Sequence, residues 1–162
     1  MLAEIKIRNA REEDFLSIMR VAACCEPMPV ERDSIYHAFT RYFAGTCFVA
    51  EQESRMVGFL LGWLSQLDNT VAYIHNVCVI PEMRRKNIAK ALYDTFIETV
   101  KAAGCSRVFL IVNPRNRISM NFHQALGFKI SEEGEGTEIE GTRAVKDYNG
   151  PEKHMAVMYR EI

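Results

Sequence analysis

The sequence predicts a mixed α/β fold, a central and mostly antiparallel sheet flanked by helices. Two observations carry that prediction. Three strand-like runs follow one another between Thr46 and Ile80 with only short polar turns between them, the mark of an antiparallel meander. A strand, an amphipathic helix and a further strand come next, over "VAYIHNVCVI", "AKALYDTFIETVKAAG" and "SRVFLIV". That order is the pattern of a right-handed crossover between parallel strands. The 162 residues suit a single domain, 1–162, whose core needs no disulfide or metal.

Taken in order, "EIKIRNA" alternates with period two and reads as a strand. Asn9 then stands where it can cap a helix over "REEDFLSIMRVAA", in which Phe15, Ile18, Met19 and Ala22 recur at helical spacing. Glu26 to Pro29 break the chain, and "ERDSIYHAFTRYF" resumes helical period through Ile35, Phe39 and Phe43. "TCFVAEQ" and "RMVGFLLGWLSQL" flank a turn at Glu53 and Ser54 and form a hairpin, after which "DNT" turns the chain into "VAYIHNVCVI". In the crossover helix Ile88, Leu92, Phe96 and Val100 make one stripe, and Gly104 is a C-terminal stop. "SRVFLIV", a short helix from Arg117 to Ala125, "GFKIS" and "HMAVMYREI" complete the order β-α-α-β-β-β-α-β-α-β-β. The connection "EEGEGTEIEGTRAVKDYNGPEK" is acidic, glycine-rich and longer than most loops, and reads as a mobile lid or as a small hairpin.

Composition narrows the class of partner. Apolar residues are 48% and charged residues 25% of the chain, as in a soluble globular protein. A net charge of -1 from 20 basic and 21 acidic residues supplies no broad positive field, so a nucleic-acid partner is not expected. The longest apolar stretch, "MVGFLLGWL", falls far short of the roughly 18 residues that span a bilayer, and charges occupy the amino terminus where a signal peptide would be apolar. A cytoplasmic protein with no membrane partner is therefore expected, and a homodimer is left open. The five cysteines, Cys24, Cys25, Cys47, Cys78 and Cys105, lack zinc or redox spacing and read as reduced thiols, and no metal site is expected.

One joint between elements has an unusual make-up for a chain so nearly neutral. In "VIPEMRRKNIAKAL", Pro81 ends a strand and Arg84, Arg85 and Lys86 precede the crossover helix. A helix amino end presents unpaired N–H groups and about half a positive charge, so it binds phosphate, and the cations deepen that well. Asn87 suits the place, being a favoured N-cap that tolerates left-handed backbone. The plainer reading is a solvated basic turn.

With these residues in that context, the sequence resembles the GNAT acyltransferase superfamily. "RRKNIA" is similar to its pyrophosphate loop, Arg/Gln-x-x-Gly-x-Gly/Ala, at Arg84 and Ala89, with Asn87 where the family usually has glycine. "NRISMNFHQALGF" is similar to its Asn-x-x-(Ala/Ser)-x-x-x-Tyr-x-x-x-Gly-Phe segment at Asn116, Ser119, Gly127 and Phe128. The resemblance covers roughly residues 46 to 130. It implies a GNAT-like fold whose sheet splays between strands 4 and 5, and acetyl-CoA as acyl donor. It also implies a pantetheine arm pairing near Val77, Cys78 and Val79. The pyrophosphate would rest on the loop of Arg84, Arg85, Lys86, Asn87, Ile88 and Ala89, with Asn116 and Ser119 on the arm from the other wall. Helix capping is a compatible role for Asn116.

The chemistry implied is attack by a neutral amine on the thioester carbonyl, with the oxyanion held by a backbone N–H of the fourth strand. His123 holds the register where the family commonly has a tyrosine acid, near a helix carboxyl end that favours imidazolium. A donor of pKa about 6.5 protonates a thiolate of about 8.5 downhill by roughly 2.7 kcal/mol. The other reading packs His123 beside Phe122 with its nitrogens satisfied locally. His75 lies where relatives often carry a glutamate base, and by alternation it shares a face with Tyr73 and Val77 unless a bulge intervenes. A structural histidine is the other reading there. Cys24 and Cys25 read as packing or surface thiols, Glu26 as a solvated carboxylate or an acceptor contact, and Tyr148 as a turn residue or spare proton donor.

The function expected is therefore N-acetyl transfer from acetyl-CoA to a primary amine of a small molecule or peptide. A catalytically weak acyl-CoA-binding module is the alternative. A third class is an interaction protein that presents Glu132, Glu133, Glu135, Glu138 and Glu140 to a cationic partner.

Overall fold

Four β-branched and aromatic-rich runs pair in antiparallel fashion in the first two-thirds of the chain. They are β1 (Ile5–Asn9), β2 (Phe48–Gln52), β3 (Arg55–Leu64) and β4 (Val71–Val79), each hydrogen-bonded to the next in that order. The computed structural model describes residues 4–25, 35 and 37–162, and its packing divides the chain into two compact units, Met1–Cys105 and Ser106–Ile162. Glu53 and Ser54 both take positive φ, 49° and 66°, so the β2–β3 hairpin turns on two left-handed residues, the twist a tight hairpin favours.

In helix α1 (Phe15–Ala23) the predicted Ile18 and Ala22 are buried together with Val21, while Phe15 and Met19 are half-buried. Helix α3 (Ile88–Ala102) buries the apolar stripe its periodicity predicts, with Leu92, Phe96 and Val100 fully enclosed. Burying each such side chain contributes about 1.5–3 kcal/mol, more than the intrinsic helix propensity of either segment. Gly62 of β3 lets α3 come close, because a Cβ there would meet the Phe96 ring at 2.6 Å and the Tyr73 carbonyl at 2.6 Å. Of the second predicted helix, α2 (Ala38–Arg41) is described, with Phe39 buried. The break at Glu26 to Pro29 lies outside the described residues.

Asn9 does not cap α1. It ends β1, and its amide donates to the Ala44 and Gly45 carbonyls at 2.9 and 3.2 Å. The helix entry is fastened instead by Asp14, whose carboxylate accepts the Arg11 N–H at 2.7 Å and pairs with Arg8 at 2.7 Å. Arg8 also reaches Glu51 at 2.5 Å. Burial pushes the Asp14 carboxyl up, but the Arg8 and Arg11 hydrogen bonds outweigh it and hold the group below its ordinary value. Hydrogen bonds to Asp14 and then Glu51 raise Arg8 in turn.

In the second unit β9 (Ala156–Glu161) pairs antiparallel with both β5 (Arg107–Val112) and β6 (Lys129–Ile130). Val108, Leu110 and Val112 alternate into its core, and helix α4 (Arg117–Ala125) adds Met120 and His123. The long acidic connection is a hairpin, β7 (Gly136–Ile139) with β8 (Thr142–Val145). Arg143 holds its base by donating to the carbonyls of Ser131, Glu132 and Gly134 at 2.9, 2.8 and 3.1 Å. Arg117 donates to the Thr142 hydroxyl at 3.0 Å and to the Glu140 carbonyl. Of its acids, Glu135 pairs with Lys146 and Glu140 with Arg115, each at 3.2 Å. The whole is of the mixed α/β class with antiparallel pairing dominant. No helix among the described residues is long and apolar enough to cross a membrane.

Candidate active site

The joint between β4 and α3 is cationic and partly left-handed in backbone. A single 3-10 turn, Pro81–Met83, leads out of the strand, and Arg85 and Asn87 then take positive φ of 61° and 60°. Alternating left-handed residues turn successive N–H groups toward one side, the concavity that anions occupy. Asn87 is the N-cap of α3, yet its side chain makes no cap hydrogen bond, so the first N–H groups of the helix are not satisfied by it. Its αL backbone explains why an asparagine stands in the glycine position, since asparagine is enriched there. Arg84, Arg85, Lys86 and Asn87 are exposed, Ala89 is half-buried and Ile88 anchors the helix in the core. Arg84 is steadied by donating to the Val79 carbonyl at 3.2 Å, and Lys86 lies 3.3 Å from the Met83 sulfur.

Strand β4 carries a bulge that alternation could not anticipate. Leu61 pairs with Asn76 but Gly62 with Ile74, so His75 is the inserted residue. Directly opposed residues share a face, which puts Val77 with Leu60 on one side, and Tyr73, Asn76 and Cys78 with Trp63, Leu61 and Phe59 on the other. His75 stacks on Phe39 at 5.2 Å and leans on Trp63 at 5.4 Å, so it belongs to that second face. The expected sharing of a face by His75 and Val77 is therefore corrected. Asn76, which no sequence motif marks, stands beside His75 because of the extra residue.

Cys78 is also not the free thiol expected. It is bonded to Cys25 at the end of α1, with Cα atoms 5.8 Å apart, inside the span disulfides require. The two cysteines are 53 residues apart, and nothing in their spacing signalled the pair. Cys24 is free and exposed, while Cys47 and Cys105 are free and buried, with burial pushing the Cys47 thiol up to about 11.

In the second unit Asn116 caps α4, its Oδ1 accepting the Ser119 N–H at 3.1 Å. His123 is 5% exposed, lies edge-on to Phe122 and Phe128, and holds Nδ1 2.7 Å from the Ser119 carbonyl. That carbonyl can only accept, so Nδ1 carries the proton and donates it. Burial depresses the group to about 4 even though the Ser119 hydrogen bond works the other way. The expected imidazolium is corrected, because desolvation outweighs the helix dipole. Gly127, at φ 87°, closes the helix and turns Phe128 into the core.

Tyr148 is exposed on a turn. Asp147, Glu152 and His154 bring ligand atoms within 4.8 Å of one another nearby, but Asp147 and Glu152 are exposed. The Asp147 N–H already occupies His154 Nδ1 at 2.9 Å and the Glu152 N–H occupies Asp147 Oδ1 at 2.8 Å, the geometry of a turn. A cavity of about 550 Å³ opens on the second unit between Arg107, Phe109, Lys129, Tyr159 and Glu161. None of the candidate catalytic or cofactor residues lines it, but Glu132 and Glu133 of the acidic connection do.

Comparison with known proteins settles the family: residues 10–128 match the acetyltransferase (GNAT) family. The chain belongs to the GNAT acetyltransferase family. It is similar to the L-2,4-diaminobutyric acid acetyltransferase of Vibrio cholerae, at 27% identity over 129 residues, 78% of this chain and 73% of that one. The enzyme of the same name from Nocardia farcinica is 26% identical over 120 residues, and the chain spans 62% of its length and 74% of its own. Among solved structures, the diaminobutyrate acetyltransferase EctA of Paenibacillus lautus, in complex with L-2,4-diaminobutyric acid and coenzyme A, shares the fold. The TM-score is 0.74 at 19% identity, covering 98% of this chain and 95% of that one. The fold, the acetyltransferase class and the two-motif resemblance agree.

Proposed function

We propose that this chain, acting as one domain in the cytoplasm, transfers the acetyl group of acetyl-CoA to a primary amine of a small molecule or peptide. The observation that carries the reading is the pair of left-handed residues, Arg85 and Asn87, set before an α3 amino end that the Asn87 side chain does not cap. The pyrophosphate accepts from the backbone N–H groups between Arg85 and Ala89, and Arg84, Arg85 and Lys86 neutralise it. The arm of the cofactor runs along the backbone of Val77, Cys78 and Val79.

His75 is the base of this reading. It takes the proton of the incoming ammonium, and the amine then attacks the thioester carbonyl. A β4 backbone N–H stabilises the oxyanion, and its collapse expels the CoA thiolate, which takes its proton from solvent. His123, neutral and donating to Ser119, serves as a packed support for α4 rather than as the acid. Because the relatives above are named for a diamino acid, diamino acids head the acceptor panel.

Titration calorimetry with CoA, followed by thiol release from acetyl-CoA across amines, tests the reading. Saturable binding and release with at least one amine support it. Absence of CoA binding removes it. Tight binding with no release for any acceptor favours the binding module.

A further inference from the structure

We propose that the Cys25–Cys78 disulfide is a thiol–disulfide exchange site whose partner is the free thiol of CoA, the product of acyl transfer. The inference rests on the cofactor reading above. Cys78 sits between Val77 and Val79, the backbone along which the cofactor arm runs. The bonded Cys25 sulfur lies 4.0 Å from the Val77 carbonyl oxygen, against that same backbone. A cofactor held on β4 thus carries its sulfur to a place where another sulfur–sulfur bond already stands. Cys25 is half-buried and Cys78 only 3% exposed, so Cys25 is the sulfur a thiolate can reach.

The step balances without a further oxidant. The CoA thiolate attacks Cys25 Sγ, a new sulfur–sulfur bond joins CoA to Cys25, and the Cys25–Cys78 bond breaks. Its electron pair leaves on Cys78 Sγ, which takes a proton from solvent. Acetyl-CoA cannot do this, because its sulfur is tied up in the thioester and is no thiolate. The site therefore distinguishes spent cofactor from charged cofactor, and the rate rises with pH as the CoA thiol ionises. The chain so modified carries the product covalently at its own cofactor strand, a brake that sets in as free CoA accumulates.

The test uses the oxidised full chain with Cys24→Ser, so that the exposed thiol cannot shuffle the bond. Under anaerobic conditions it is exposed to CoA, to glutathione and to desulfo-CoA, which lacks the thiol, then quenched with acid and alkylated with N-ethylmaleimide. Intact mass and peptide mapping under non-reducing conditions read the outcome. We expect half-opening at a CoA concentration at least ~10-fold below that of glutathione, because a bound thiol acts at a raised effective concentration. CoA should map to Cys25 and the maleimide to Cys78, and desulfo-CoA should raise the melting temperature without opening the bond. Half-opening at the same concentration of both thiols overturns the inference. So does no opening by CoA while desulfo-CoA still raises the melting temperature. No melting shift with desulfo-CoA overturns the cofactor site itself, and the inference with it.

Discussion

Two helices of this chain begin with asparagine, and the two asparagines do opposite things. Asn116 folds its side chain back on α4 and satisfies the Ser119 N–H, so that helix start is complete in itself. Asn87 enters α3 in a left-handed conformation and its side chain accepts nothing from the helix. The same residue type thus closes one helix end and leaves the other uncapped by its side chain. Backbone handedness decides which: with φ at 60° Asn87 sits outside the extended region that lets an N-cap side chain reach the N2 or N3 amide. In the function proposed above, this end of α3, behind two arginines and a lysine, receives the pyrophosphate.

Acidification is the strongest way to set the two helices apart. The unfolded chain binds a proton on His123 near pH 6.5, while the folded chain does so only near 4, so the folded state loses stability as pH falls between these values. Above pH 6.5 the contribution is fully present, and by pH 4 it should have drained by roughly 3 kcal/mol. Urea unfolding at stepped pH reads this, and His123→Phe should flatten the slope. An equally steep slope in that variant would assign the acid sensitivity elsewhere.

Next in size is the charge of the α3 joint. Replacing Arg85 and Lys86 together by glutamate should weaken CoA binding by about tenfold to a hundredfold while the urea midpoint hardly moves. Calorimetry at low salt is the measurement, and unchanged affinity would break the comparison at its centre. The cap itself comes third: Asn116→Ala should cost about 1 kcal/mol of stability, since a hydrogen-bonded N-cap is lost. Smallest is Asn87→Gly, expected to change stability by less than about 1 kcal/mol and to leave CoA affinity intact, because glycine adopts φ near 60° freely. A large loss there would mean that the asparagine side chain, and not its backbone, serves the site.

Much of this was readable in the chain before any coordinates. The stripe of Leu92, Phe96 and Val100, the bounds of α4 and the cationic joint after Pro81 all follow from local pattern. What escaped depends on partners far away in sequence. The bulge at His75 exists only relative to the pairing with Leu61 and Gly62, and the Cys25–Cys78 bond spans 53 residues. His123 was assigned its charge from its place on a helix, a local argument, and the burial that overrules it comes from the packing around it. Asn9 ends β1 and Asp14 takes the cap, because a strand can run one residue further than its last alternating position reveals.

The missing side chain of Gly62 has reach beyond its own strand. Phe96 settles into the space it leaves, eight positions along α3 from Ile88, or about 12 Å at 1.5 Å per residue. A helix behaves as a stiff rod over that distance, so even one added methyl group at Gly62 would prise its middle off the strands and tilt its leading tip. The pose of that tip is governed from underneath, by an atom the chain does not have.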